Sequence, residues 1–251
     1  ASPFFEFTRE FMNFEPEAWS LRWYRQMVGI SSIGDTTVVT DKWMLGTRNS
    51  FFVGIVATLL ATALGTVAAL GLSRPHMPFK AVLMAILISP MIVPLIITAA
   101  GMFFFYSKMG LTHTYLGLIL AHTALGTPFV VITVTATLTG FDTNLIRASQ
   151  SLGADTMRTF FKVIMPLILP GVISGGLFAF ITSFDEVVIV MFIGSVEQIT
   201  IPKQMWAGLR QETSPVILCM ATCLVALSIA LLTTVEMLRR RSERLRGIKQ
   251  R

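Results

Sequence analysis

The chain has 251 residues, of which 53% are hydrophobic and only 14% charged, and its mean hydropathy is +0.70. That balance excludes an ordinary soluble domain and points to one compact bundle of membrane helices, an all-α polytopic protein. The net charge of +6 is concentrated in the closing MLRRRSERLRGIKQR, where each arginine attracts anionic lipid head groups by about 1 kcal/mol. No aromatic side chain interleaves those arginines as a single-strand binder requires, so a nucleic-acid partner is excluded.

Residues 1 to 48 open on Ala1-Ser2-Pro3 with no initiator methionine or signal sequence, and carry five Lys/Arg against six Asp/Glu. Beyond them, the stretches 50 to 72, 81 to 106, 115 to 138, 166 to 193 and 215 to 238 each suffice for a hydrocarbon core of about 30 Å, which takes about 20 helical residues. Asn49-Ser50 and Ser214-Pro215 read as openings of the first and last of these helices. In the second, Pro90 and Pro94 interrupt backbone hydrogen bonding and predict a kink, serving either gate geometry or simple shape. The glycines at 65, 71, 101, 126, 175 and 176 suit close helix approach.

Basic residues alternate between the two ends of these spans. Arg74 and Lys80 follow the first, Arg147, Arg158 and Lys162 the third, and seven Lys/Arg the fifth, which marks those ends as cytoplasmic. The opposite connections hold Lys108 alone, or Lys203 and Arg210 offset by Glu197 and Glu212. Cys219 and Cys223 sit one helical turn apart, a spacing that rarely suits a disulfide, and read as reduced packing residues. His76, His113 and His122 are scattered and form no metal pattern.

The segment DTNLIRASQSLGADTMRTFFKVIMPLILP, residues 142 to 170, is polar and lies between apolar runs. Its first half sets Leu145, Ala148, Ser149 and Leu152 on one helical face, and its second half does the same with Met157, Phe160, Phe161 and Ile164. Gly153 between them allows a sharp turn, Asp155 is placed to cap the second helix, and Pro166 with Pro170 is expected to end it and open the next span.

This segment resembles the cytoplasmic EAA loop of ABC importer permeases. Ala148, Gly153, Val163 and Pro166 fit the family pattern, while Arg147 stands where glutamate is usual, Ser149 replaces alanine and Met165 replaces leucine. The flanks TPFVVITVTATLTGFD and GGLFAFITSFDEVVIVMFI, with FEPEAWSLRWY near the start, are similar to the spermidine/putrescine branch. The resemblance runs along nearly the whole chain and implies the fold of a type I importer permease. It divides the sequence into a periplasmic amino-terminal segment (1–48), a transmembrane domain (49–238) with the coupling loop at 142–166, and a basic cytoplasmic tail (239–251). The related permeases have six helices, so an additional span ahead of Ala1 is expected, with a five-helix protein as the alternative.

The resemblance also implies a multi-pass protein of the bacterial inner membrane with a cytoplasmic carboxyl terminus. Its partners would be two ATPase subunits that bind the ATP and magnesium, a second homologous permease, a periplasmic binding protein and membrane lipid. No phosphate loop, nucleophile with its base or metal cluster occurs in the sequence, so no cofactor is expected on this chain and no ATP hydrolysis by it. The implied ATPase-coupling surface comprises Arg147, Ala148, Ser149, Leu152, Gly153, Ala154, Asp155, Met157, Arg158, Phe160, Phe161 and Pro166.

Asp185 and Glu186, in TSFDEVV, are the acidic residues set within a span and away from its ends. Such a residue at mid-membrane costs about 2.5 to 3.5 kcal/mol on insertion scales, so it faces either a water-filled path or a partner. Adjacent helical residues point about 100° apart; both acids can face one narrow pore only where the helix is broken. A polyamine needs acidic or carbonyl oxygens and aromatic faces, and Asp185, Glu186, Ser183, Tyr106 and Trp206 supply them, with Pro90 and Pro94 shaping a gate. The alternatives are a gate contact with the second permease for the two acids and an interfacial belt for Tyr106 and Trp206.

Other cargoes within the class are aminoethylphosphonate, a small amino acid or ferric ion. A secondary transporter would show ionisable residues in several spans and inverted repeats. An embedded enzyme would need a cluster such as Ser/His, and His122 has no evident partner in the sequence.

Overall fold

The computed structural model describes residues 5–6, 18–19, 21–28, 37–74, 76–142, 144–211 and 215–245. A short antiparallel pair, β1 (Phe5–Glu6) with β2 (Ala18–Trp19), precedes α1 (Arg22–Val28) and α2 (Thr37–Leu72). Next come α3 (Lys80–Ile92), α4 (Leu95–Met109) and α5 (Tyr115–Thr139). The polar segment forms α6 (Asn144–Ser151) and α7 (Thr156–Thr159), then a π-helical turn (Phe160–Ile164) that runs into α8 (Met165–Phe184). The chain continues as α9 (Val188–Ile193), α10 (Ile201–Gln211) and α11 (Pro215–Leu245).

Residues 41–72, 115–139 and 156–184 are helices long and apolar enough to cross a membrane. The expected second span is instead the pair α3 and α4, bent by 104°. Pro94 pushes Val93 into an extended conformation (φ −71°, ψ 133°), because a residue before proline avoids the helical region. The expected fourth span is likewise divided, since α8 ends at Phe184 and α9 begins at Val188. In α11 the apolar part is Val216–Ala230.

The chain divides into two units, residues 52–194 and residues 1–51 with 195–251. In the first unit, one apolar cluster joins Val53 and Ala57 of α2, Ala99 and Tyr106 of α4, Leu118 and Ala121 of α5, and Ile189, Val190 and Ile193 of α9. A second joins Ala61 and Ala69 of α2, Val130 and Val134 of α5, and Ile168 and Ala179 of α8. Lipid tails are as apolar as leucine, so helix contact here depends on close packing at small residues.

Gly175 shows how close that packing is: a β-carbon there would overlap Thr133 Oγ1 and come within 2.8 Å of Val130 Cα. Backbone cannot rotate away as a side chain can. Gly175→Val is therefore expected to part α5 from α8 at a cost of about 1 to 3 kcal/mol, read as a lowered melting temperature of the purified protein in detergent.

In the second unit, Asn49 and Ser50 correct the expectation that they simply open a helix, since both are buried inside α2. Asn49 Nδ2 donates to the carbonyls of Glu197 and Ile199 at 2.7 and 2.9 Å, and Ser50 Oγ accepts from the Ile201 amide at 2.9 Å. Gln198 Oε1 accepts from the amide and hydroxyl of Ser195 at 3.1 and 2.6 Å. These bonds satisfy a loop whose backbone would otherwise lie unpaired in a buried setting. Asn49→Ala is expected to lose about 1 to 3 kcal/mol, and faster proteolysis between residues 195 and 200 measures it. Lys203 Nζ donates to the Ser195 carbonyl at 3.2 Å, and desolvation holds its ammonium below the usual lysine value. Cys219 and Cys223 are free thiols, as expected.

Candidate functional site

Local rules build the hairpin at 142–166. Asp142 Oδ1 accepts from the Asn144 amide at 2.9 Å at the start of α6. At its end the Ala154 amide donates to the Ser149 carbonyl at 3.0 Å and the Gly153 amide to the Gln150 carbonyl at 2.9 Å. This is a Schellman closure, and it needs a residue with positive φ, which Gly153 supplies at +81°. Asp155 then caps α7 as expected, its Oδ1 accepting from the Arg158 amide at 2.7 Å. Ser149 Oγ lies 2.9 Å from Thr159 Oγ1, tying the two arms together.

Ser149 turns inward to Thr159, while Leu145, Ala148 and Leu152 stay exposed. One expectation about this hairpin changes. Pro166 does not end the second helix, which continues through the π turn into α8. Proline has no N–H for the carbonyl four residues back, and its ring would collide with that carbonyl. The helix widens instead, and the Met165 amide bonds to the Phe160 carbonyl. The second arm of the hairpin is thereby one continuous rod with the span that carries Ser183.

Leu152 is 88% exposed, Met157 67% and Phe161 60%. Phe160 is half-buried and meets Phe161 edge to face, with ring centres 5.0 Å apart. Arg147, Ala148, Gly153, Asp155, Arg158 and Pro166 are exposed, and Ala154 is half-buried. Three large apolar side chains on a short polar hairpin, outside both clusters of the unit, form a surface suited to a protein partner.

The acidic pair lies in the break between α8 and α9. Asp185 is exposed and Glu186 is 6% exposed. The Glu186 carboxylate accepts from the Ile189 amide at 2.9 Å, satisfying one of the free donors of the first turn of α9. The break removes the 100° constraint of a continuous helix, and one carboxylate is exposed while the other is buried against α9. Ser183, one turn earlier, accepts or donates a bond of 2.7 Å with His122 Nδ1. His122 thus has a partner that the sequence did not reveal, because 61 residues separate them.

Residues 28–244 match the protein family described as the inner membrane component of binding-protein-dependent transport systems. The chain belongs to that family. It is the permease subunit of an importer of the ABC class, a non-catalytic, multi-pass component of the inner membrane. Among its relatives, the spermidine/putrescine permease PotC of Haemophilus influenzae is 27% identical over 226 residues, covering 90% of this chain and 84% of the relative. PotC of Escherichia coli K12 is 25% identical over 224 residues, covering 89% and 81%, and the putrescine permease PotI of the same strain is 27% identical over 220, covering 82% and 73%.

The fold is similar to that of solved ABC transporters. The crystal structure of an amino acid ABC transporter with histidines aligns at a TM-score of 0.62 with 16% identity, covering 81% of this chain and 95% of that one. An inward-facing form of the MetNI methionine transporter aligns at 0.55 with 21% identity, covering 82% and 95%.

The other residues singled out in this permease sit on further elements. Tyr106 is buried in the cluster that also holds α9. Pro90 lies inside α3, and Pro94 precedes α4 at the bend. Trp206 is exposed on α10, in the other unit, with the Arg210 guanidinium 5.9 Å from its ring centre. Among the described residues no group of three His, Cys, Asp or Glu side chains is placed to hold a metal ion.

Proposed function

We propose that this permease forms half of the translocation path for a polyamine-like cation of the spermidine/putrescine class. A periplasmic binding protein delivers the cargo, a second homologous permease supplies the other half, and two ATPase subunits bind the ATP and magnesium. The hairpin at 142–166 docks on one ATPase from the cytoplasm, and Leu152, Met157 and Phe161 enter its groove. Residues 1–48 lie on the periplasmic side, and the basic tail 239–251 lies on the cytoplasmic side against anionic lipid.

The observation that carries this reading is the exposed apolar tip, joined by an uninterrupted helix from Thr156 to Phe184 to the break that holds Asp185 and Glu186. Closure of the ATPases shifts the hairpin, the rod moves with it, and the break changes the side from which the path is open. Asp185 offers its carboxylate to the ammonium groups of the cargo. Glu186 holds α9, Tyr106 packs behind it, and Pro90 and Pro94 set the bend of α3 and α4. Trp206, with Arg210 beside its ring, offers the cargo an aromatic face.

The cargo is supported by three relatives named for spermidine or putrescine that together match most of the chain. The test is uptake of labelled spermidine by the complete transporter, with its binding protein, in proteoliposomes. ATP-dependent accumulation that unlabelled putrescine suppresses, and that aminoethylphosphonate, amino acids and ferric ion leave alone, is the expected result. Suppression by one of the latter instead reassigns the cargo.

A further inference from the structure

His122 has no part in the transport reading so far, yet its burial demands one. Its ring is 1% exposed, Nδ1 is bonded to Ser183, and Nε2 is buried with no partner among the described residues. A half-satisfied imidazole in an apolar core costs free energy that a leucine there would avoid. Ser183 is the last residue but one of α8, and Phe184 is where that helix stops. Two residues later Glu186 turns back onto the first turn of α9.

The helix that carries His122 is firmly held at both ends. Leu118, Ile119, Ala121 and Leu125 of α5 lie in the cluster with α9, and Val130 and Val134 lie in the cluster with α8. The His122 bond therefore fastens the end of α8 to a fixed reference at the point where the chain leaves the helix.

We infer that His122 is a positioning residue for transport. Its bond to Ser183 holds the α8/α9 break in the geometry that exposes Asp185 and buries Glu186 over α9. The inference rests on the reading of Asp185 as a pathway residue, and it makes no use of contact between His122 and cargo.

The test uses the assembled transporter in nanodiscs, with Cys219→Ala and Cys223→Ala as background. Asp185→Cys is added, and the rate of its modification by 2-aminoethyl methanethiosulfonate is measured. Ser183→Ala or His122→Gln is expected to change that rate about fivefold, the population change that follows loss of a bond with a net contribution of about 1 kcal/mol. His122→Asn is expected to stay near the parent rate, since its amide occupies the place of Nδ1, whereas that of glutamine reaches the place of Nε2.

Unchanged rates in Ser183→Ala and His122→Gln overturn the inference, as does equal behaviour of the asparagine and glutamine variants, which would leave His122 only a space-filling role. Ser183→Ala removes a single oxygen and carries the test where His122→Gln does not assemble. Spermidine uptake by Asp185→Asn, measured separately, decides the pathway reading. Unchanged uptake there retires that reading, while the labelling still reports on the bond.

Discussion

Leu152→Asp with Phe161→Asp is expected to strip the ATPase from the purified complex. Leu152 and Phe161 stand exposed outside both clusters of their unit, so the fold does not depend on them. Covering such a side chain contributes about 1.5 to 3 kcal/mol. Losing both contacts weakens docking by about 3 to 6 kcal/mol, at least a hundredfold, before the cost of seating two carboxylates in an apolar groove is added. Phe160 is a poorer choice for this test because it is half-buried, and a charge there would disturb the hairpin itself. The measurement is co-purification of the ATPase together with cargo-stimulated ATP turnover. Full recovery of both in the double variant would move coupling to another surface.

Asp185→Asn is expected to lower the initial rate of spermidine uptake by about ten- to a hundredfold. The exposed carboxylate lies in a break of the chain, where a cation can approach it, and a hydrogen bond to a charged group contributes about 1.5 to 3 kcal/mol. The substitution keeps the shape and removes the charge, so assembly should persist. Glu186→Gln makes an instructive contrast. Its buried oxygen bonds to the Ile189 amide, and glutamine still offers a carbonyl oxygen there, so the loss of uptake should be smaller. Equal effects of the two substitutions would show that both acids face the cargo.

Much of the hairpin was legible in the sequence because its determinants act over a few residues. Gly153 and Asp155 do what their residue types do beside any helix end, one supplying a positive φ and the other an acceptor for free amides. The bend at Pro94 has the same local origin. Pro166 was misread for an instructive reason. A proline near a helix start can either stop the preceding helix or be absorbed by a wider turn, and the packing of Ile164 and Ile168 against α2 and α5 selects the second.

The sequence by itself determined the class of protein, through its long apolar runs, and the position of the polar hairpin between them. Both follow from hydrophobicity and backbone geometry, which are written residue by residue. Only the tertiary structure decided that Asn49 holds a loop about 150 residues away, that Ser183 pairs with His122, and that Asp185 and Glu186 part company in a break. Those outcomes depend on which buried polar group meets which partner. In a core that cannot offer water, that choice is made by the packing of distant helices and leaves no local pattern to read.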